Sequence, residues 1–396
     1  MTYLDSSATS QKPFAVLACL SDYYSYHNAN VHRGAHRLSR DATERYEGAR
    51  DKLARCIGAD RRETVFTGGA TESINLVANS WGRANLGAGD EVLLSVMEHH
   101  SNIVPWQLLQ QATPGLVIKY CPLNAGGEDL DYEKLADLIT PRTKLLSLAH
   151  TSNVLGVTTD TALCLSLLRK KGHKDAAFLL DACQSLPHKP VDVKALGCDF
   201  LVASGHKMLG PTGIGLLYGR LPLLEKMPPF MGGGEMIEEV TLGGSTYAGL
   251  PGKFEAGTPN IAQAIGWGAA LDYIESVGGL ARIEEYLDDL SQYLATRLRA
   301  VPKVTVYGPG PGEKRAPLAA FSVEGVHVSD LSTFLDLEGV AIRAGHHCTQ
   351  PLHKYLGISH TARASCHLYN SREDIDVFVE KLEETLAFLA DATAPR

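Results

Sequence analysis

Short apolar runs alternate with amphipathic stretches through the first half of this chain, and nothing else narrows its architecture as much. Residues 64–67, 91–95, 117–121, 144–149, 178–181 and 200–203 read as strands, with helices predicted between them over about 131–139 and 159–171 and after Thr71. Repeated strand–helix units imply an α/β fold with a mostly parallel sheet, and ligands then sit at the carboxyl ends of the strands. Helices over about 14–26 and 38–57 come first, the second ending at Gly58. Beyond the last run, 220–256 is irregular with a hairpin through 237–241. Helices over 261–277, 280–300 and 329–338, strands near 304–307 and 318–323, and a terminal helix over 372–391 follow. The expected division is a large domain, 16–261, and a smaller α/β domain made of 1–15 and 262–396. A chain of 396 residues is long enough to bury both cores.

Composition excludes several classes of function. Lys and Arg number 37 against 45 Asp and Glu, a net charge of −8, which argues against a broad nucleic-acid footprint. No apolar stretch approaches the roughly 20 residues that span a bilayer. Met1-Thr2-Tyr3-Leu4-Asp5 lacks the basic and apolar regions of a signal peptide, so a cytoplasmic protein is expected. Eight cysteines occur without C-x-x-C spacing, which argues against a zinc site, a cluster held by this chain alone or a disulfide scaffold. Cys348, between His347 and Thr349 in a glycine-bearing loop, is the one in a chemical setting. His99 and His100 are adjacent but have no third ligand nearby in sequence, and no metal is expected.

Lys207 follows the strand at 200–203 in Ser204-Gly205-His206-Lys207, ahead of a run of glycines. A lysine amine whose charged form is disfavoured reacts with carbonyls and forms Schiff bases with pyridoxal phosphate. That cofactor needs a carboxylate on its pyridinium nitrogen, and Asp181 ends the preceding apolar strand. Gln184 offers a donor for the ring hydroxyl. The 26 residues from Asp181 to Lys207 suffice for a turn, a short helix and a second strand, placing both side chains at adjacent strand ends. Gly68-Gly69-Ala70-Thr71 turns from strand into helix, a setting whose free N–H groups suit a phosphate, with the Thr71 hydroxyl in addition. Asn153 stands at another strand end, suited to the substrate or the ring oxygen. Exchange of Lys207 for a substrate amine implies an amino-acid substrate, whose carboxylate Arg363 would bind.

These segments resemble the class V aminotransferase group of fold-type I PLP enzymes, and within it the SUF-type (group II) cysteine desulfurases. The resemblance runs from Tyr3-Leu4-Asp5 to the terminal helix, and its most specific part is Arg343-Ala344-Gly345-His346-His347-Cys348-Thr349-Gln350-Pro351-Leu352. It implies a fold-type I transferase that converts L-cysteine to L-alanine. The sulfur passes to Cys348 as a persulfide, destined for iron–sulfur clusters or other sulfur-containing cofactors. His99 stacks on the ring, and Ser204 and His206 join the cofactor contacts. Ala70 stands where relatives carry a hydroxyl, leaving only a backbone contact there. His32 and Arg343 lie near the substrate. Thr258 reaches the phosphate of the partner's cofactor in a homodimer. Only 15 residues separate Cys348 from Arg363, which implies a restricted loop and a sulfur-acceptor protein that docks close to it. Relatives usually carry a further N-terminal helix before Tyr3. His346 and His347 either activate the thiol or shape its loop. Competing readings are a selenocysteine lyase, another class V β-lyase or aminotransferase, and a non-catalytic sulfur-transfer scaffold.

Overall fold

The apolar runs become strands, and all but the edge strand at 117–121 are covered on both faces. A computed structural model describes residues 1–393; 394–396, the end of the expected smaller domain, lie outside the described residues. The strands run β1 (Thr2–Tyr3), β2 (Thr64–Thr67), β3 (Glu91–Ser95), β4 (Val117–Cys121), β5 (Thr143–Ala149), β6 (Ala177–Asp181), β7 (Phe200–Ser204) and β8 (Gly215–Gly219). All but β1 form one seven-stranded sheet in the order β2-β8-β7-β6-β5-β3-β4. From β7 to β4 the pairing is parallel, and β8 runs antiparallel to both β7 and β2. The sheet is therefore mostly parallel, as the alternation implies. Alternate residues serve opposite cores: Leu93, Phe178, Leu180 and Leu201 pack on the side of Trp267. Val92, Leu94, Leu179, Phe200 and Val202 pack on the side of Trp81 and Trp106. Each such side chain contributes about 1.5–3 kcal/mol by leaving water.

β8 is an addition to the sequence reading. Its Leu216-Leu217-Tyr218 centre lies between glycines, outside the runs read as strands. Gly215 is needed there, because a Cβ at this position would stand 2.4 Å from the Cα of Gly69. β8 thereby presses against the turn that opens the helix Ala70–Val77. Helix Leu221–Lys226 likewise falls within the stretch read as irregular. The expected hairpin forms from β9 (Ile237–Thr241) and β10 (Gly244–Tyr247) and is largely exposed. The first expected helix spans Phe14–Asp22 and continues as a π-helical turn, Tyr23–His27.

The second sheet is antiparallel, in the order β11 (Val304–Val306), β12 (Leu318–Val323), β15 (Thr361–Ser365) and β14 (Arg343–Gly345). Arg343 and Arg363 are directly opposed in its register. β13 (Val340–Ala341) pairs instead with β1, in parallel. The first dozen residues form a strap between the two sheets. Asp5 bridges Ser365, and further on the Ser10 N–H donates to the His206 carbonyl at 3.0 Å. No helix among the described residues is long and apolar enough to cross a membrane.

Candidate active site

A cavity of about 300 Å³ opens at the carboxyl ends of the parallel strands. Ala70, Thr71, His99, Asn153, Asp181, Gln184, Ser204, His206 and Lys207 reach it from the large sheet. Arg343, Cys348 and Arg363 reach it from the second sheet and its loop. Residues scattered over almost 300 positions thus meet in one place.

At the large-sheet end, Asp181 caps β6 and its Oδ1 accepts the Cys183 N–H at 3.0 Å. Ser204 Oγ accepts the Ala70 N–H at 3.0 Å, tying β7 to the first turn of the helix Ala70–Val77. The rest of that N-terminal turn and the Thr71 hydroxyl suit a phosphate. Burial, then the charge of Lys207, pushes His99 down to about 4, so its ring is neutral. The Ser101 N–H donates to its Nδ1 at 3.1 Å, which leaves the ring proton on Nε2. Gln184 Nε2 donates to Ser7 O at 2.9 Å, while its buried Oε1 has no partner among the described residues. His206 is also neutral, lowered to about 4 by burial and then Lys207. Behind His99 lies Glu98, fully buried and raised by burial to about 7. It accepts from Ser95 Oγ and, at 2.7 Å, from Asn102 Nδ2. Sequence reading passes over Glu98, since a glutamate after a strand end looks like any turn residue.

At the other end, Arg363 is 2% exposed. Its Nη1 donates to Asn153 O at 2.9 Å, Nη2 reaches Asp5 Oδ1 at 3.5 Å, and Nε has no partner. Burial lowers it to about 10 despite the neighbouring Asp5. A buried guanidinium with an open Nε edge calls for an anion. Arg343 instead spends its fork on Asp5, with Nε at 3.1 Å and Nη2 at 2.8 Å. Asp5 is therefore a site residue the sequence reading quotes only as the start of a resemblance.

Cys348 sits in a tight turn closed by the Thr349 N–H on His346 O at 2.9 Å. Asn153 Nδ2 donates to His347 O at 2.8 Å. The His347 Nε2 lies 3.0 Å from both Thr361 O and Oγ1. Burial, then Arg363, pushes His347 down to about 2, so it stays neutral. Of the two roles open to His347, the bonds it makes are those of a loop-shaping residue. Of the eight cysteines, all among the described residues, Cys348 alone is exposed. Burial raises Cys121, Cys164, Cys198 and Cys366 to about 12, which keeps them thiols.

Two candidates lie elsewhere. His32 is 3.1 Å from Glu47 and lines a separate cleft with Arg33, Arg50 and Glu235. Thr258 is exposed and lines another, with Phe66, Gly68 and Glu72. The N-terminal strap supplies residues not expected at the site: Ser7 and Ala8 line the cavity. The His206 carbonyl next to Lys207 accepts from Thr9 Oγ1, Ser10 N, Ser10 Oγ and Lys12 Nζ. Among the described residues no three His, Cys, Asp or Glu are grouped to hold a metal ion.

The chain is similar to known proteins along almost its whole length. The chain is 51% identical to a probable cysteine desulfurase of Synechocystis sp., over 99% of this chain and 92% of that protein. It is also 51% identical to one of Halalkalibacterium halodurans, over 97% and 93%. Among solved structures it resembles the cysteine desulfurase CsdA of Escherichia coli (S-sulfonic acid), with TM-score 0.89, 40% identity and 98% and 95% coverage. It resembles the apo cysteine desulfurase of Thermococcus onnurineus as well, with TM-score 0.92, 40% identity and 98% and 94% coverage. Residues 2–378 match the aminotransferase class-V family, and the chain belongs to that family.

Proposed function

We propose that the protein is a pyridoxal-phosphate-dependent cysteine desulfurase that converts L-cysteine to L-alanine and takes the sulfur onto Cys348. The observation that carries this reading is one cavity shared by an amine, an open buried guanidinium and the single exposed thiol: Lys207, Arg363 and Cys348. The residues present fit the cofactor. Asp181 offers a carboxylate for its ring nitrogen, and the Thr71 and Ser204 hydroxyls offer donors for its phosphate, the Ala70 N–H being already spent on Ser204 Oγ. His99 forms a wall for the ring, Gln184 keeps an unspent N–H for the ring oxygen, and Lys207 is the attachment point. When bound, pyridoxal phosphate supplies an electron sink next to the substrate's amine-bearing carbon.

The chain's own residues do the rest. Arg363 binds the substrate carboxylate through its open edge. Lys207 would hold the cofactor and is the amine placed to move protons at the substrate. The Cys348 thiolate attacks the substrate sulfur: an S–S bond forms, the Cβ–S bond breaks, and its electron pair goes to Cβ, which takes up a proton. The products are alanine and a Cys348 persulfide, with no outside oxidant. Residues 16–261 act as the cofactor-binding part, and 1–15 with 262–396 as the part that presents Arg363 and Cys348. The persulfide is passed to an acceptor protein, towards iron–sulfur clusters or other sulfur-containing cofactors. The working unit is a homodimer, supported by His32 and Thr258 standing in clefts of their own.

Incubation with L-cysteine should release alanine and, with a thiol reductant, sulfide in equal amounts. Lys207→Ala should lose both turnover and the visible absorbance of tightly held cofactor. Full turnover in that variant would overturn the assignment.

A further inference from the structure

The turn that carries Cys348 is strained. His347 has φ +50° and Cys348 φ +58°, the left-handed region at both central positions of a tight turn. Glycine and asparagine suit such positions, and other residues cost on the order of 1 kcal/mol each. Something outside the turn must hold it. The helix Gln350–Tyr355 that follows has a second deficit: Thr349 stands at its N-cap but makes no capping bond to it. The Thr349 hydroxyl turns back instead to His346 O at 2.7 Å. The first N–H of that helix, on Gln350, would be left without an acceptor.

His100 answers both needs from the large sheet. Its N–H donates to Cys348 O at 2.8 Å, and its Nε2 accepts the Gln350 N–H at 3.0 Å. The two bonds grip the chain on either side of Thr349. We propose that His100 is a positioning residue for Cys348, acting as a helix cap supplied from the other sheet that fixes the strained turn with its thiol at the cavity. It acts through Gln350 and is not among the residues that line the cavity. This rests on the reading of Cys348 as the sulfur acceptor.

The test uses the holoenzyme and single-turnover loading of sulfur onto Cys348, read by intact mass. His100→Leu removes the acceptor; His100→Gln keeps one at similar reach. His100→Leu should leave the L-cysteine-induced absorbance change of the cofactor within two-fold of wild type. Loading should slow roughly ten-fold, the worth of about one hydrogen bond. His100→Gln should recover loading to within about three-fold. If His100→Leu does not retain cofactor, His100→Asn, whose shorter amide falls short of Gln350, takes its place with the same expected loss. Wild-type loading in the acceptor-less variant, or equal losses in it and His100→Gln, overturns the proposal. The parent reading fails separately, when wild-type protein shows no added sulfur on Cys348.

Discussion

At the scale of single residues, the site is a set of groups whose charge state burial decides. His99, His206 and His347 are all neutral because they lie in apolar surroundings beside positive charge. Glu98 shows the opposite sign, and its effect on stability is testable. In the unfolded chain its carboxyl has the ordinary value of 4.5; in the fold burial raises it to about 7. Below 4.5 both states hold the proton and the buried group adds no penalty. As pH rises from about 4.5 to about 7 the unfolded chain sheds this proton while the fold still holds it, so stability is lost across that window, up to about 3 kcal/mol, and levels off above it. Glu98→Gln has no proton to lose. Thermal unfolding of the apoprotein should give this variant and wild type similar midpoints at about pH 4, with the variant higher at pH 8.5. Parallel pH profiles would contradict the assignment. Lys207 and Asp181 were legible in the sequence because each belongs to a local pattern, a glycine turn or a strand end, while Arg363 was reached from the carboxylate an amino-acid substrate must present and from the resemblance. Glu98, Asp5 and His100 were not. Glu98 follows a strand end like any turn residue, while Asp5 and His100 depend on partners far along the chain, Arg343 and Arg363 for the one and Cys348 and Gln350 for the other.

At the scale of elements, the strand–helix alternation was enough to give the parallel part of the sheet. It did not give β8, because an apolar trio between glycines has no period of its own and its partners are distant. Nor did it give the N-terminal strap its function. Lys12 Nζ donates to Ser10 O and, at 2.8 Å, to His206 O, and burial lowers it to about 8. Hydrogen bonds to a charged donor are worth about 1.5–3 kcal/mol, so the strap is a clamp on the turn that presents Lys207. Lys12→Met should loosen that turn without touching the cavity wall. The expected outcome is roughly ten-fold faster loss of cofactor on dilution, followed by absorbance, with the melting temperature of the apoprotein little changed. Unaltered cofactor retention would mean the strap is merely docked.

At the scale of the whole molecule, the Lys207 cavity lacks two of the expected contributors, His32 and Thr258. An uncovered apolar face accompanies them: Phe14 is 90% exposed and Tyr26 74%. Singly exposed apolar residues are ordinary, but a run of them along one helix and turn marks a contact surface. We infer that the proposed homodimer would use this face. Phe14→Glu together with Tyr26→Glu should raise the dimer dissociation constant at least ten-fold in sedimentation, with specific activity falling on dilution. Full activity in a species that sediments as a monomer would contradict a shared site.

The most direct test of the account is where the sulfur goes. After a single turnover with L-cysteine, peptide mass spectrometry of the wild-type protein should find one added sulfur on the peptide containing Cys348 and none on the other seven cysteines. Cys348→Ala should keep its bound cofactor and its spectral response to L-cysteine, yet release sulfide only at background. Sulfide release by Cys348→Ala at the wild-type rate would contradict the account and make the exposed thiol a loop residue only.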